Sequence, residues 1–181
     1  MGYALPKAWA EAGMKYSLYI VTGAPGSGKS TVLKAFMELQ SKYMAFDIDW
    51  LAEAASALAD KDIYSDPSTW KPYALLWFEV LHAVYKNGQT PVFFTPNDPQ
   101  DIEQYGQPAW CREINWLLLD CDEQTRRQRL LHRPDWTEAR IVEAIADARV
   151  LRQSVHLQID TGLLSPKEIA VKILDWLEQL D

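Results

Sequence analysis

The eight residues from Gly23 to Ser30 constrain the fold of this chain more than any other segment. They read Gly-Ala-Pro-Gly-Ser-Gly-Lys-Ser, which matches the pattern G-x-x-x-x-G-K-[ST] at every position. An apolar run rich in β-branched and aromatic residues, 17–22, precedes them, and a segment with helical periodicity, 29–41, follows. A strand, a glycine-rich turn and a helix in this order are the context that a phosphate-binding loop (P-loop) requires.

The positions of this loop have separable roles in holding a phosphate chain. Its glycines permit backbone conformations and a close approach that a Cβ atom would prevent. Backbone N–H groups then point at phosphate oxygens, and the helix N-terminus adds partial positive charge. We expect Lys29 to reach the β- and γ-phosphates of ATP and the Ser30 hydroxyl to ligate Mg²⁺. The predicted nucleotide-binding residues of the loop are Gly23, Pro25, Gly26, Ser27, Gly28, Lys29, Ser30 and Thr31.

The rest of the chain alternates between predicted strands and predicted helices. Further strands are expected at 43–46, 91–95, 115–119 and 155–159. Residues 50–86 have a helical pattern with an interruption near Pro67, and residues 97–112 are expected to be irregular. The alternation predicts a single α/β domain over residues 1–181, with the three-layer P-loop NTPase fold and a five-stranded, mainly parallel sheet.

The composition narrows the class of partner. The chain has 181 residues, of which 48% are hydrophobic, and a net charge of −7, so a broad basic surface for nucleic acid or anionic lipid is not expected. Lys7, Glu11 and Lys15 interrupt the N-terminal segment before an apolar run builds, which predicts a cytoplasmic protein without a signal peptide or membrane span. Cys111 and Cys121 form no C-x-x-C pair and are expected to be free, packed thiols.

Two carboxylates, Asp47 and Asp49, follow the second predicted strand. Ligands of open α/β sheets bind outside the carboxyl ends of the strands, so both side chains are expected near the phosphate site. One could hold Mg²⁺ through water, and the other could accept the proton of an acceptor hydroxyl. The alternative is that Asp49 only caps a helix that begins at Trp50.

Four arginines lie between Thr125 and Arg133, namely Arg126, Arg127, Arg129 and Arg133. Arg129 and Arg133 are four residues apart, so they share one face if the helix reaches that far. Guanidinium groups suit the charge that develops on a transferring phosphoryl group. The alternative is a solvated basic face that pairs with Asp122 and Glu123.

The P-loop, the pair Asp47 and Asp49, and the sequence Arg133-Pro134 resemble the small P-loop kinases, over nearly the whole length of the chain. These are the shikimate kinases, gluconate kinases and nucleoside monophosphate kinases. The resemblance implies transfer of the γ-phosphoryl group of Mg-ATP to a small molecule. It implies that Asp47 supports the metal and that Asp49 binds the acceptor hydroxyl.

The resemblance also assigns roles to the arginine segment. It implies that Arg129 packs on adenine and that Arg133 reaches the phosphates from a short lid over residues 131–138. Residues 160–162, Asp-Thr-Gly, would contact adenine, and residues 50–90 would form much of the acceptor pocket. Aromatic residues there could stack on a ring, but core positions are favoured for Trp77 and Phe78; the set is Trp50, Tyr64, Trp70, Tyr73, Trp77 and Phe78.

The chain departs from these kinases after the third predicted strand. It has Thr-Pro-Asn-Asp at 95–98, where shikimate kinases have a glycine-rich substrate loop and monophosphate kinases an Asp-Gly pair. Asp98 could substitute for the missing acid. Asp120 also follows an apolar run and imitates a metal-binding aspartate, but Asp47 is preferred because the strand before Asp120 leads to the lid.

Three functions are compatible with these features. The preferred one is a kinase for a metabolite, nucleoside, nucleotide or antibiotic, with Lys29, Asp49 and Arg133 as catalytic residues. The second is a nucleotide-dependent switch or regulatory ATPase without an acceptor. The third, a polynucleotide 5′-hydroxyl kinase, is disfavoured by the acidic balance. No N-K-x-D motif occurs, which argues against a GTPase, and the sequence leaves open whether the protein is a monomer or a homodimer.

Overall fold

Five parallel strands form one sheet in the computed structural model, which describes residues 15–39, 41–134 and 136–180. The strands are β1 (Tyr16–Thr22), β2 (Tyr43–Asp47), β3 (Thr90–Thr95), β4 (Cys111–Asp120) and β5 (Gln158–Asp160). Their order across the sheet is β2-β3-β1-β4-β5, and all four pairings are parallel. Strand β1 therefore lies at the centre, which explains its nearly continuous apolar sequence.

Helices cover both faces of this sheet. They are α1 (Lys29–Met37), α2 (Ala52–Ala59), α3 (Pro67–Lys86), α4 (Pro99–Tyr105), α5 (Glu123–Leu131), α6 (Glu138–Ser154) and α7 (Pro166–Leu180), and a 3-10 turn (Ile48–Leu51) joins β2 to α2. Phe36 of α1 and Ile173 of α7 pack on one face of the sheet, while Trp77 and Phe78 of α3 pack on the other. This three-layer arrangement confirms the predicted α/β fold, with a sheet that is wholly parallel.

The sequence-based expectation for residues 97–112 was wrong, because this segment contains α4. The Asp98 carboxylate accepts a hydrogen bond from Asp101 N (2.9 Å), and the Asp101 carboxylate accepts one from Asp98 N (3.1 Å). This reciprocal capping box, with Pro99 at the first helical position, starts a helix that runs to Tyr105 and is capped by Gly106. Asp98 thus caps a helix, although it was considered as a possible metal-site acid.

The fifth strand also begins later than expected, at Gln158 instead of Val155. Helix α6 runs through Ser154, and Val155 N still donates to Leu151 O at 2.9 Å.

Trp77 and Phe78 are core residues with 1% exposure each, as favoured from the sequence. Cys111 and Cys121 are buried free thiols. Across the described ranges, no helix has both the length and the apolar character to cross a bilayer.

Candidate active site

The loop between β1 and α1 requires glycine where its backbone lies close to other atoms. A Cβ atom on Gly23 would lie 2.5 Å from Leu119 O and 2.7 Å from Ser27 Oγ. Gly28, the residue before α1, has φ +93°, in the left-handed region where a side chain is strained. The loop therefore follows the path that the sequence motif predicts, with its backbone pressed against the end of β4.

The start of α1 is built to receive an anion. No side chain caps its N-terminus, and its first turn contains no acidic residue. The buried Ser27 Oγ has no hydrogen-bond partner within the described part of the chain. First-turn N–H groups and the helix dipole attract phosphate at such a position, so the observed loop fits a nucleotide phosphate chain. Ser30 and Thr31 are exposed on this same first turn.

Lys29 lies against the loop, where its ammonium group donates to Gly23 O. Burial lowers the pKa of Lys29 from 10.5 to about 8, while the charges of Asp47 and Asp49 raise it and those of Arg126 and Arg133 lower it further. Of the predicted catalytic residues, Lys29 is the first residue of α1, Asp49 lies in the 3-10 turn after β2, and Arg133 is exposed just beyond α5.

The lowered pKa of Lys29 predicts proton uptake when a nucleotide binds. Above pH 8 much of Lys29 is neutral in the free protein, and bound phosphates favour its protonated form. At pH 8.5 we expect uptake of about 0.7 proton per Mg-ADP bound. Calorimetric titrations in buffers of different ionisation enthalpy measure it. Lys29→Arg, which stays charged at this pH, serves as the control, and an equal uptake by both proteins would contradict the prediction.

Asp47 is the last residue of β2 and Asp49 lies in the 3-10 turn that follows; the first is buried and the second is exposed. Asp47 is buried, and its carboxylate accepts a hydrogen bond from Asp49 N (3.1 Å), so Asp47 caps the 3-10 turn. The alternative that Asp49 is the cap is therefore wrong. Partial burial raises the pKa of Asp49, the charge of Asp47 adds to this effect, and Lys29 opposes it.

Arg126 supports the loop from beneath, a role that was not predicted from the sequence. Its side chain is fully buried and donates to Ala24 O (3.2 Å), to Pro25 O and to the Asp120 carboxylate. Arg152 pairs with the other oxygen of Asp120. Asp120, the metal candidate ranked below Asp47, is thus held between two guanidinium groups. The sequence did contain a signal for this role. Arg126 precedes Leu130 by four residues, and this spacing places both side chains on the buried face of α5.

Arg129 and Thr161 form a second contact with the loop. Arg129 donates to Gly26 O (3.2 Å), Thr161 Oγ1 (2.9 Å) and Thr161 O (2.7 Å), and Thr161 Oγ1 donates to Ser27 O (2.7 Å). The two segments assigned to adenine by resemblance therefore adjoin each other and Gly28. The lid predicted over 131–138 begins at the last residue of α5, and Glu138 at its other end pairs with Arg127 of α5 (2.6 Å). Asp135 lies outside the described residues.

A cavity of about 550 Å³ opens beside the loop, with Ala24, Pro25 and Asp49 on its near side. Of the aromatic residues predicted for the acceptor pocket, Tyr64, Trp70 and Tyr73 line it, whereas Trp50 does not. The cavity extends beyond the predicted region 50–90, because α4 and α6 close its far side. The lining residues from these two helices and the loop before α4 that the sequence did not predict are Asn97, Asp101, Tyr105, Asp147, Val150 and Leu151.

Comparison with known proteins gives one family and a group of structural relatives. The model of the chloramphenicol phosphotransferase-like protein family (CPT) matches residues 17–178. No curated protein sequence matches the chain significantly. The predicted resemblance to small P-loop kinases is confirmed by this family match together with the structures below.

Three solved structures illustrate the shared fold. The tunicamycin resistance protein of Deinococcus radiodurans has a TM-score of 0.64 at 16% identity, covering 90% of this chain and 95% of that one. A sugar kinase from Janibacter has the same score and identity, covering 92% and 95%. Shikimate kinase from Acinetobacter baumannii, solved with shikimate, has a TM-score of 0.57 at 18% identity, covering 92% and 95%. At these identities the similarity shows the fold alone.

Proposed function

Because this chain belongs to the chloramphenicol phosphotransferase-like family, we propose that it transfers the γ-phosphoryl group of Mg-ATP to a hydroxyl group of a small molecule. The observation that carries the proposal is the position of Asp49. This carboxylate lines the 550 Å³ cavity together with Ala24 and Pro25 of the P-loop, and its charge raises the pKa of Lys29. An acceptor in the cavity would therefore present its hydroxyl group beside the nucleotide's phosphates.

The donor half of the site is assigned to the loop and the arginines around it. Backbone N–H groups of the loop and of α1 hold the phosphates, and Lys29 and Arg133 balance the charge that develops on the transferring group. Arg129 packs beside the nucleotide base, where it adjoins Gly28. Thr31, exposed in the first turn of α1, contributes to phosphate binding.

Ser30 and Asp47 are the proposed protein ligands of Mg²⁺, which when bound neutralises charge on the phosphates. In the described part of the chain, no group of three or more His, Cys, Asp or Glu side chains could hold a metal. Mg²⁺ in kinase sites binds through one or two protein oxygens, with phosphates and water completing its shell. The two oxygens available here fit that pattern.

Asp49 is the proposed proton acceptor. The acceptor oxygen forms a bond to the γ-phosphorus, the bond from that phosphorus to the ADP oxygen breaks, and the hydroxyl proton passes to the Asp49 carboxylate. Burial and Asp47 raise the pKa of Asp49, which makes its ionised form a stronger base than an exposed aspartate. The carboxylate must be ionised to act, so activity falls as the pH drops through this pKa.

The function is tested by measuring ADP formation with Mg-ATP in the presence of chloramphenicol, nucleosides, nucleotides, sugars and cyclic acids. We expect one class to raise the rate by at least about 10-fold and to gain one phosphoryl group by mass spectrometry, because a positioned acceptor reacts in place of water. A steady ATPase rate that no compound raises, with no phosphorylated product, would favour the nucleotide-dependent switch.

Replacing Asp49 with asparagine is expected to lower kcat by about 10²-fold, at the low end for general-base catalysis because phosphoryl transfer has a loose transition state. The affinity for Mg-ADP should change little. The variant should also lose the acidic limb of the pH–rate profile. Asp175→Asn removes an exposed carboxylate of α7 and is the matched control. Equal activity of the Asp49 and Asp175 variants would remove Asp49 from the mechanism.

A further inference from the structure

The cavity beside the loop carries charge of one sign only. Four carboxylates line it, from Asp49, from Asp98 and Asp101 at the start of α4, and from Asp147 on α6. No lysine, arginine or histidine lines it in the ranges that the structure describes. Charges of one sign in a cleft with low-dielectric walls concentrate the opposite charge there. The cavity thus repels anions and attracts cations.

Its carboxylates retain the capacity to bind a cation. The capping box occupies Oδ1 of Asp98 and Oδ2 of Asp101, which leaves the second oxygen of each group. Asp147 has neither an ion pair nor a hydrogen bond with any described residue. Burial raises the pKa of Asp147, and the charges of Glu143 and Asp101 add to this, with Arg126 opposing. Asp101 and Asp147 thus line one cavity, and the charge of Asp101 raises the pKa of Asp147.

Aromatic side chains supply the rest of the recognition surface. Tyr64, Trp70 and Tyr73 line the side formed by α3 and the segment before it, and Tyr105 lines the side formed by α4. Trp70 Nε1 donates to Ile63 O (3.1 Å) and Tyr73 Oη donates to Ile48 O, so their polar atoms are engaged by the backbone. The exposed rings of Tyr64 and Trp70 remain for an aromatic group or for a cation, whereas Tyr73 is buried and only borders the cavity.

We propose that the acceptor is a hydroxyl compound bearing an ammonium group and an aromatic ring, and that anionic acceptors are excluded. This inference rests on the proposed function. The hydroxyl group lies at Asp49, the ring lies among the aromatic residues, and the ammonium group lies between Asp101 and Asp147. Acceptors that carry a carboxylate or phosphate would meet unpaired acids in place of the basic residues that they need.

Two matched pairs of compounds test the charge preference, all built on the nitrophenyl-propanediol of chloramphenicol. The first pair is the free primary amine and its N-acetyl amide, which differ by one positive charge. The second pair is the N-succinamoyl and N-succinyl amides, which match in size and differ by one negative charge. At low salt we expect the more positive member of each pair to bind about threefold more tightly by calorimetry, the scale of a partly exposed ion pair. The difference should shrink at 0.5 M salt, where the Debye length is only about 4 Å.

Asp147→Asn should reduce the affinity for the free amine by about threefold and leave that for the N-acetyl amide unchanged. Glu143→Gln removes the same charge one turn earlier on α6, outside the cavity lining, and should leave both affinities nearly unchanged. Failure of the amine to bind, or equal binding within both pairs, would overturn the inference. Preferential binding of the amine without phosphorylation of any compound would refute the kinase and leave the charge preference standing. Phosphorylation of a neutral or anionic compound by a protein that does not bind the amine would support the kinase and refute the charge preference.

Discussion

Replacing Lys29 with methionine is expected to lower kcat/KM for phosphoryl transfer by about 10³-fold, because the variant removes a preorganised positive charge from the γ-phosphoryl group. Methionine keeps a similar length and apolar stem, so the loop keeps its packing. The loss should appear in the rate with acceptor and in the basal ATPase rate alike. Single-turnover measurements with saturating Mg-ATP separate the lost chemistry from weakened binding.

The same substitution should not destabilise the protein. Since burial lowers the pKa of Lys29, the folded state binds fewer protons than the unfolded state between about pH 8 and pH 10.5. The contribution of Lys29 to the free energy of unfolding therefore rises with pH across that window. At pH 7, where the lysine is charged, burial of this charge lowers the free energy of unfolding. We expect Lys29→Met to unfold at the wild-type temperature or above it. Lys34→Met, an exposed change on the same helix, controls for loss of a charge, and a fall in Tm for Lys29→Met would show that lost folding explains its lost activity.

Replacing Arg126 with methionine is expected to lower the free energy of unfolding by about 3–5 kcal/mol, the range for breaking a buried ion pair. Arg126 is fully buried, and its loss leaves the carbonyls of Ala24 and Pro25 without their donor. Asp120 keeps only its pairing with Arg152. Urea unfolding followed by tryptophan fluorescence measures the change. The affinity for Mg-ADP should fall as well, because the loop loses its support.

The neighbouring arginine provides the control. Arg127 pairs with Glu138 at the surface, and Arg127→Met should cost at most about 1 kcal/mol. Arg126→Lys keeps the charge without the guanidinium fork, and we expect a loss between those of the two methionine variants. If the Arg126 and Arg127 methionine variants lost equal stability, the buried network would not support the loop.

Local sequence predicted the backbone path of the glycine-rich loop well. The loop between Gly23 and Ser30 is specified by consecutive residues, because its turn, its glycine conformations and the start of α1 depend on contacts within one segment. The carboxylates at the end of β2 were likewise placed by their position in a strand. The capping box at Asp98 was equally local, and its signal was present in the sequence but was outweighed by the surrounding prolines and glycine.

The cavity that is proposed to bind the acceptor was decided by the tertiary structure. The order of the strands, the burial of Arg126 on α5 and the shared lining of one cavity by α4 and α6 depend on packing between segments far apart in the chain. Asp101 and Asp147 line one cavity although 46 positions separate them, and neither has a local pattern that announces this. The sequence by itself determined the conformation of the loop that is proposed to hold a phosphate chain, since that conformation depends on consecutive backbone groups. Only the tertiary structure decided the charge and shape of the cavity proposed for the acceptor, because both depend on side chains that long-range packing brings together.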